Sequence, residues 1–283
     1  MTDPGLTFVT SSIINPQKTS EELFNRFYDE EHLPDILKYP HPKAPKLAKR
    51  YKNINRGSKN PYLALYPVID AGVYQTAATN NLAKDVSISK TFDNQPISDF
   101  INATVYRNAK IHTYEGLHSN SEPASHAAIL VAATMEPVPG TDQDCTDWYI
   151  TQHLPMMSML PSYRRSTRYQ RIDGKEPRYL ALHEFATLEG FRADEALVPR
   201  LMETEWSKKV MSSAKEFEMD IAAAMKSAAE HEHLLLVSGA LRISLLVLCL
   251  PLSTIDTEAQ LFSGPAYRQQ VYNSSALPKA VRE

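Results

Sequence analysis

A chain of 283 residues, 43% hydrophobic and 22% charged, has the material for one large soluble domain or two of ordinary size. Its net charge of −3 gives no electrostatic case for nucleic acid, and none is expected as a partner. Cys145 and Cys249 form neither a disulfide framework nor a zinc-finger spacing, and "MTDPGLTFVTSS" lacks the pattern of a secretory signal, so the cytoplasm is the expected compartment.

The first element, "LTFVTSSII" (6–14), is rich in strand formers. A helix follows, with Thr19 and Glu22 placed as a capping box at its start. Phe24, Tyr28 and His32 recur every fourth residue and so share one face. Pro34 disfavours helical geometry at Leu33, which predicts a break or bend there. Two strands are expected at 46–54 and 61–69, then a second helix and a last strand.

The same order returns from "AAILVAATM" (127–135) onward. "FYDEEHLPDILKYP" (27–40) lies over "WYITQHLPMMSMLP" (148–161), placing Phe27 on Trp148, Tyr28 on Tyr149 and His32 on His153. "KRYKNI" (49–54) lies over "TRYQRI" (167–172), and "PYLALYP" (61–67) over "RYLALHE" (178–184). These pair Tyr51 with Tyr169 and Tyr66 with His183. "NAKIHTYEG" (108–116) lies more weakly over "SAKEFEMDI" (213–221). Strands are expected at 164–172 and 178–186, and a second helix around "RADEALVPRLMETEWSKKVM". The predicted class is α+β, with a βαββαβ order in each half: residues 5–118 and 127–226 are two tandem ferredoxin-like units, and 227–283 is an extension.

The aromatic-Tyr-x-x-x-His-Leu-Pro pattern stands at Phe27-Tyr28…His32-Leu33-Pro34 and again at Trp148-Tyr149…His153-Leu154-Pro155. With the strand–helix–strand–strand order, it resembles the EthD-like proteins of the dimeric α+β barrel superfamily, common in fungal natural-product pathways. The resemblance covers about residues 5 to 226. Members usually dimerise to close the barrel, so it implies a fused pseudo-dimer here. It also implies a pocket between each sheet and its helices, lined by Tyr28 and His32 in one half and by Tyr149 and His153 in the other.

A neutral imidazole can accept or donate a proton near neutral pH, and a tyrosine can hydrogen-bond a developing oxyanion. The plainer reading is that each histidine satisfies backbone groups where the proline interrupts the helix. Strand alternation puts Tyr62, Ala64 and Tyr66 on one side, and Tyr179, Ala181 and His183 on the matching side. The second half thus offers two histidines where the first has one. The candidate acid–base residues are His153, His183, Tyr149 and His32; the candidate substrate contacts are Tyr28, Tyr66, Trp148, Tyr169, Tyr51 and Arg168. Lys49, Arg50, Arg164, Arg165 and Arg168 could attract a carboxylate or phenolate. For most of them a solvated edge strand guarded by basic residues is the preferred reading.

No metal site is expected: His231-Glu232-His233 has no further ligands nearby in sequence. No Gly-rich phosphate loop appears, and no cofactor is required. The leading expectation is a cofactor-independent tailoring enzyme acting on a polyketide-like small molecule by cyclisation, dehydration or decarboxylation, hence a lyase or cyclase. The alternatives are a cofactor-free monooxygenase of a phenolic or anthrone-type substrate, and a non-catalytic binding or stress-response barrel. The apolar run "LLLVSGALRISLLVLCLPL" (234–252) carries Arg242, which is costly in a bilayer. It is expected to pack on the barrel or on a second copy, a route to homo-oligomers, rather than in a membrane.

Overall fold

Alternation of apolar residues makes the strands, and two-sided burial closes them on themselves. The strands are β1 (Gly5–Ile13), β2 (Lys49–Asn53), β3 (Tyr62–Val68), the small hairpin β4 (Ile88–Ser89) and β5 (Gln95–Pro96), β6 (Ile101–Glu115), β7 (Ile129–Pro137), β8 (Tyr163–Arg171), β9 (Tyr179–Phe185) and β10 (Ala214–Ala224). The computed structural model describes residues 3–117 and 127–225; the apolar run at 234–252 and His231-Glu232-His233 lie outside the described residues. All strands but β4 and β5 form a closed barrel in the order β1-β3-β2-β10-β7-β9-β8-β6. Every neighbouring pair is antiparallel.

Each half keeps its own strands together, in the order fourth, first, third, second. The halves meet where β10 pairs with β2 and β6 pairs with β8. The barrel has no edge strand, so the basic residues of β2 and β8 do not guard one, contrary to the expectation from sequence. Leu6, Phe8, Leu63, Leu65, Leu130, Leu180 and Leu182 fill the interior. Their strand neighbours point outward, beneath the helices.

Register corrects one match. Tyr66 is opposite Thr7 and His183 is opposite Val131, so Leu6 and Leu130 are equivalent. Asn108 lies opposite Leu6, and Ala222 opposite Leu130. Asn108 therefore corresponds to Ala222, not to Ser213; the weak similarity of the last strands was out of register.

The first helix of each half has three parts. In the first half α1 (Glu21–Arg26) leads through a π-helical turn (Phe27–His32) into α2 (Leu33–Leu37). Its cap is Ser20, which accepts a hydrogen bond from the Leu23 amide, one residue after the expected Thr19. The His-Leu-Pro motif does not break the helix. Leu33 keeps helical angles, and its amide bonds to the Tyr28 carbonyl, five residues back. The widened turn relieves the clash that proline would make with an ordinary helical carbonyl. The second half repeats this device: α4 follows the small helix α3 (Ala77–Asp85) and spans Asp142–Trp148, a π-turn covers Tyr149–His153, and α5 spans Leu154–Met157. The second helix expected there is three short ones, α6 (Leu188–Glu195), α7 (Val198–Met202) and α8 (Glu205–Ser212). Among the described residues no helix is long and apolar enough to cross a membrane.

One carboxylate staples a seam of the barrel. Asp220 of β10 accepts hydrogen bonds from Asn53 (2.6 Å), Ser58 (2.9 Å) and Asn60 (3.0 Å) of the first half. Removing it leaves the Asn53 amide short of an acceptor. We expect Asp220→Ala to cost about 1–3 kcal/mol, measured by denaturant unfolding; an unchanged midpoint would show that the strand ladder alone holds this seam.

Candidate active site

Each half buries one arginine between its sheet and its first helix, and the two are treated differently. In the first half Arg50 lies over the Tyr28 ring at 4.3 Å. It donates from Nη1 to Asp29 (2.9 Å) and from Nη2 to Asn25 (2.8 Å). In the second half Arg168, only 1% exposed, lies over the Tyr149 ring at 4.2 Å. Here the motif places Ile150 where Asp29 stood and Thr146 where Asn25 stood. Nη1 and Nη2 of Arg168 have no hydrogen-bond partner among the described residues.

The π-turn arranges the rest. It sets Tyr149 and His153 edge to face at 5.3 Å, as it sets Tyr28 and His32 at 5.2 Å. His153 stacks on Trp148 at 4.5 Å, and Trp148 is anchored by donating to Ser207 (3.1 Å). His183, from β9, meets His153 edge to face at 5.6 Å. The His153 Nδ1 has no partner among the described residues.

His183 is oriented by a relay. The Tyr163 hydroxyl donates to Ser166 Oγ at 2.7 Å, and Ser166 Oγ lies 2.5 Å from His183 Nδ1. The Tyr163 hydroxyl also reaches the Tyr114 carbonyl (3.4 Å), and together these contacts fix the orientation of the His183 ring. Burial, reinforced by Arg168, holds the His183 pKa at about 4. Burial, then His183 and Arg168, depress that of His153 well below the ordinary histidine range. Burial raises the Tyr149 hydroxyl, against the pull of Arg168. Both imidazoles are therefore neutral near pH 7, packed in a cluster whose buried charge is the Arg168 cation.

The structure thus brings together Trp148, Tyr149, His153, Arg168 and His183. Tyr28, His32 and Tyr66 form the corresponding cluster in the first half. There the Tyr66 hydroxyl and His32 Nδ1 lack partners among the described residues. Burial brings His32 to about 4, against Glu31 and with Arg50. Tyr51 and Tyr169 join neither cluster: one step along the strand from each arginine, they turn into the barrel interior, which corrects their expected place beside the substrate. Arg165 forms a two-point pair with Glu184 at 3.0 Å for each contact.

Sequence reasoning missed Ser166, Tyr163 and His112. Ser166 was open to detection, because two residues before Arg168 on a strand is the same face. His112 was hidden by a register shift between Lys110 and His112 that sets it opposite Arg168. Its Nε2 is buried without a partner among the described residues, and burial with Arg168 lowers its pKa. Two surface clefts lie elsewhere. One of about 350 Å³ is lined in part by Tyr39, His41, Lys43 and Tyr74, and one of about 190 Å³ touches Cys145. His153, His183 and Arg168 line neither.

No protein-family profile and no curated protein matches the chain. Solved structures do. An anthrone oxidase-like protein aligns at TM-score 0.54 and 10% identity, over 80% of this chain and 92% of its own. A proposed monooxygenase from Fusobacterium nucleatum aligns at 0.50 and 10%, over 80% and 94%. A chlorite dismutase variant from Candidatus Nitrospira defluvii aligns at 0.53 and 9%, over 80% and 92%. At such identities the likeness is one of fold. In this chain that fold is a closed eight-stranded antiparallel barrel with helices packed on its outer face.

The two arginines should answer the same substitution with opposite signs. Arg50→Met breaks two hydrogen bonds and strands Asp29, at about 1–3 kcal/mol. Arg168→Met removes an uncompensated buried cation and should stabilise by about 1 kcal/mol, its ring contact with Tyr149 offsetting part of the gain. Thermal unfolding of both variants is the check; equal destabilisation would show that Arg168 is structurally satisfied.

Acid should weaken the fold through His183. An unfolded histidine titrates near 6.5, while His183 stays neutral down to about 4. As pH falls, the unfolded chain takes the proton first, so stability present above about 6.5 is lost down to about 4. We expect the unfolding temperature to fall across that window and His183→Gln to flatten the fall.

Proposed function

We propose that the chain is a cofactor-independent tailoring enzyme of polyketide-like small molecules, working by proton transfer in its second half. On this reading residues 5–118 and 127–226 are tandem ferredoxin-like repeats of the EthD-like kind. The observation that carries it is the His153–His183 pair, two neutral imidazoles 5.6 Å apart in one buried cluster with the Tyr149 ring. Neutral imidazoles are in the protonation state needed to take a proton from an acidic carbon or phenol. The contacts from Tyr163 through Ser166 hold the His183 ring in place, and a neutral imidazole can also donate its one N–H to an oxygen. Bases and donors of this kind suit an enolisation followed by cyclisation, dehydration or decarboxylation, the work of a lyase or cyclase.

The first-half cluster pairs one histidine with a tyrosine and with an arginine already bound to Asp29. It supports a structural role for that half. The second reading is a cofactor-free monooxygenase, in which the phenolate formed by the same deprotonation gives its electrons to oxygen. Fold likeness to an anthrone oxidase-like protein favours it as the alternative.

Turnover of hydroxylated polycyclic aromatic substrates, followed with and without air, separates the two readings. An oxygen requirement selects the monooxygenase. Under either reading His153→Ala should lower kcat roughly 10²–10⁴-fold, and His32→Ala much less. Equal and small losses from both, with folding intact, would mean that the histidines only pack the motif.

A further inference from the structure

We propose that Arg168 is an anion receptor, and that the substrate carries a carboxylate or phenolate that takes the place the Asp29 carboxylate occupies in the first half. This rests on the second-half site proposed above and names the class of molecule it accepts.

The argument is a comparison within one chain. Arg50 and Arg168 occupy matching strand positions, and each lies over the tyrosine of the motif. Arg50 is satisfied from within, by Asp29 and Asn25. Arg168 is more deeply buried, yet both terminal nitrogens lack partners among the described residues. A guanidinium removed from water without a counter-charge costs several kcal/mol, so a fold retains one where something else supplies the charge.

The surrounding differences run in one direction. Asp29 gives way to Ile150, Asn25 to Thr146 and Tyr66 to His183. His112, delivered by β6 of the first half, stands opposite Arg168; the matching place opposite Arg50 is held by Met225, whose amide bonds to the Arg50 carbonyl. The acid is lost and neutral donors and acceptors are gained. What remains is a planar cation flanked by His112, His183 and Tyr149, matched to a planar oxyanion.

Such an anion also couples binding to chemistry. Arg168 is one of the groups that keep His153 and His183 from protonation. An anion seated on it cancels that field, so each imidazole becomes a stronger base once substrate is present.

The test is calorimetric titration of the full chain with salicylate and with its uncharged analogue salicylamide. We expect salicylate to bind with one site per chain, because Arg50 is already paired, and at least tenfold more tightly than salicylamide. Arg168→Gln should remove that preference. Ile150→Asp should do the same by restoring the first-half pairing while leaving the arginine in place. Loss in both variants, with intact folding by circular dichroism, upholds the receptor. Salicylate binding that survives either folded variant, or no preference for the charged ligand in the unmodified chain, overturns it. The readout is binding, so it can succeed where His153→Ala spares turnover, and fail where His153 proves essential.

Discussion

An antiparallel sheet with a free edge leaves a row of amide and carbonyl groups unpaired, and this chain resolves that constraint by closing the sheet. Neither half can do so alone. Its second strand would be an edge, and it is covered only by the last strand of the other half. Much else follows from this exchange. The strands carrying Arg50 and Arg168 become interior strands, their polar residues are buried, and each sheet turns one face to a shared apolar interior and the other to its own helices.

Burial then sets the electrostatics. A basic residue on a solvated edge costs little, but on a closed barrel under a helix it needs a partner. Asp29 meets that need in one half, where the arginine has become part of the packing. The other half leaves it unmet and surrounds the cation with groups that are neutral at working pH.

The duplicated motif was legible because its spacing survives where side chains differ: Tyr28 with His32 and Tyr149 with His153 hold the same face four residues apart. Alternation likewise put Tyr66 and His183 on matching sides of their strands, and the structure turns that side toward the helices. The same rule, applied to Arg168 and Tyr169 together, would have separated them, since adjacent strand residues cannot line one pocket. The π-turn was not legible, because proline states what backbone geometry it refuses and not which relief the chain adopts. The register of the last strand was lost because residues such as Ala222 and Ala223 repeat without distinction, and pairing across the seam, not local pattern, decides it. His112 follows from that seam, so no pattern within either half could point to it.

The seam at β6 and β8 has a further meaning for how the two sites relate. In a barrel assembled from two identical chains, any substitution is made twice, and a wall supplied across the seam is the same on both sides. Here β6 presents His112 to one site, while β10 presents Met225 to the other. Joining the halves in one chain breaks that symmetry, so each cluster is flanked by residues that can change without altering its counterpart. One cluster thereby holds its arginine within a closed set of hydrogen bonds, while the other keeps a buried cation without an internal partner among the described residues.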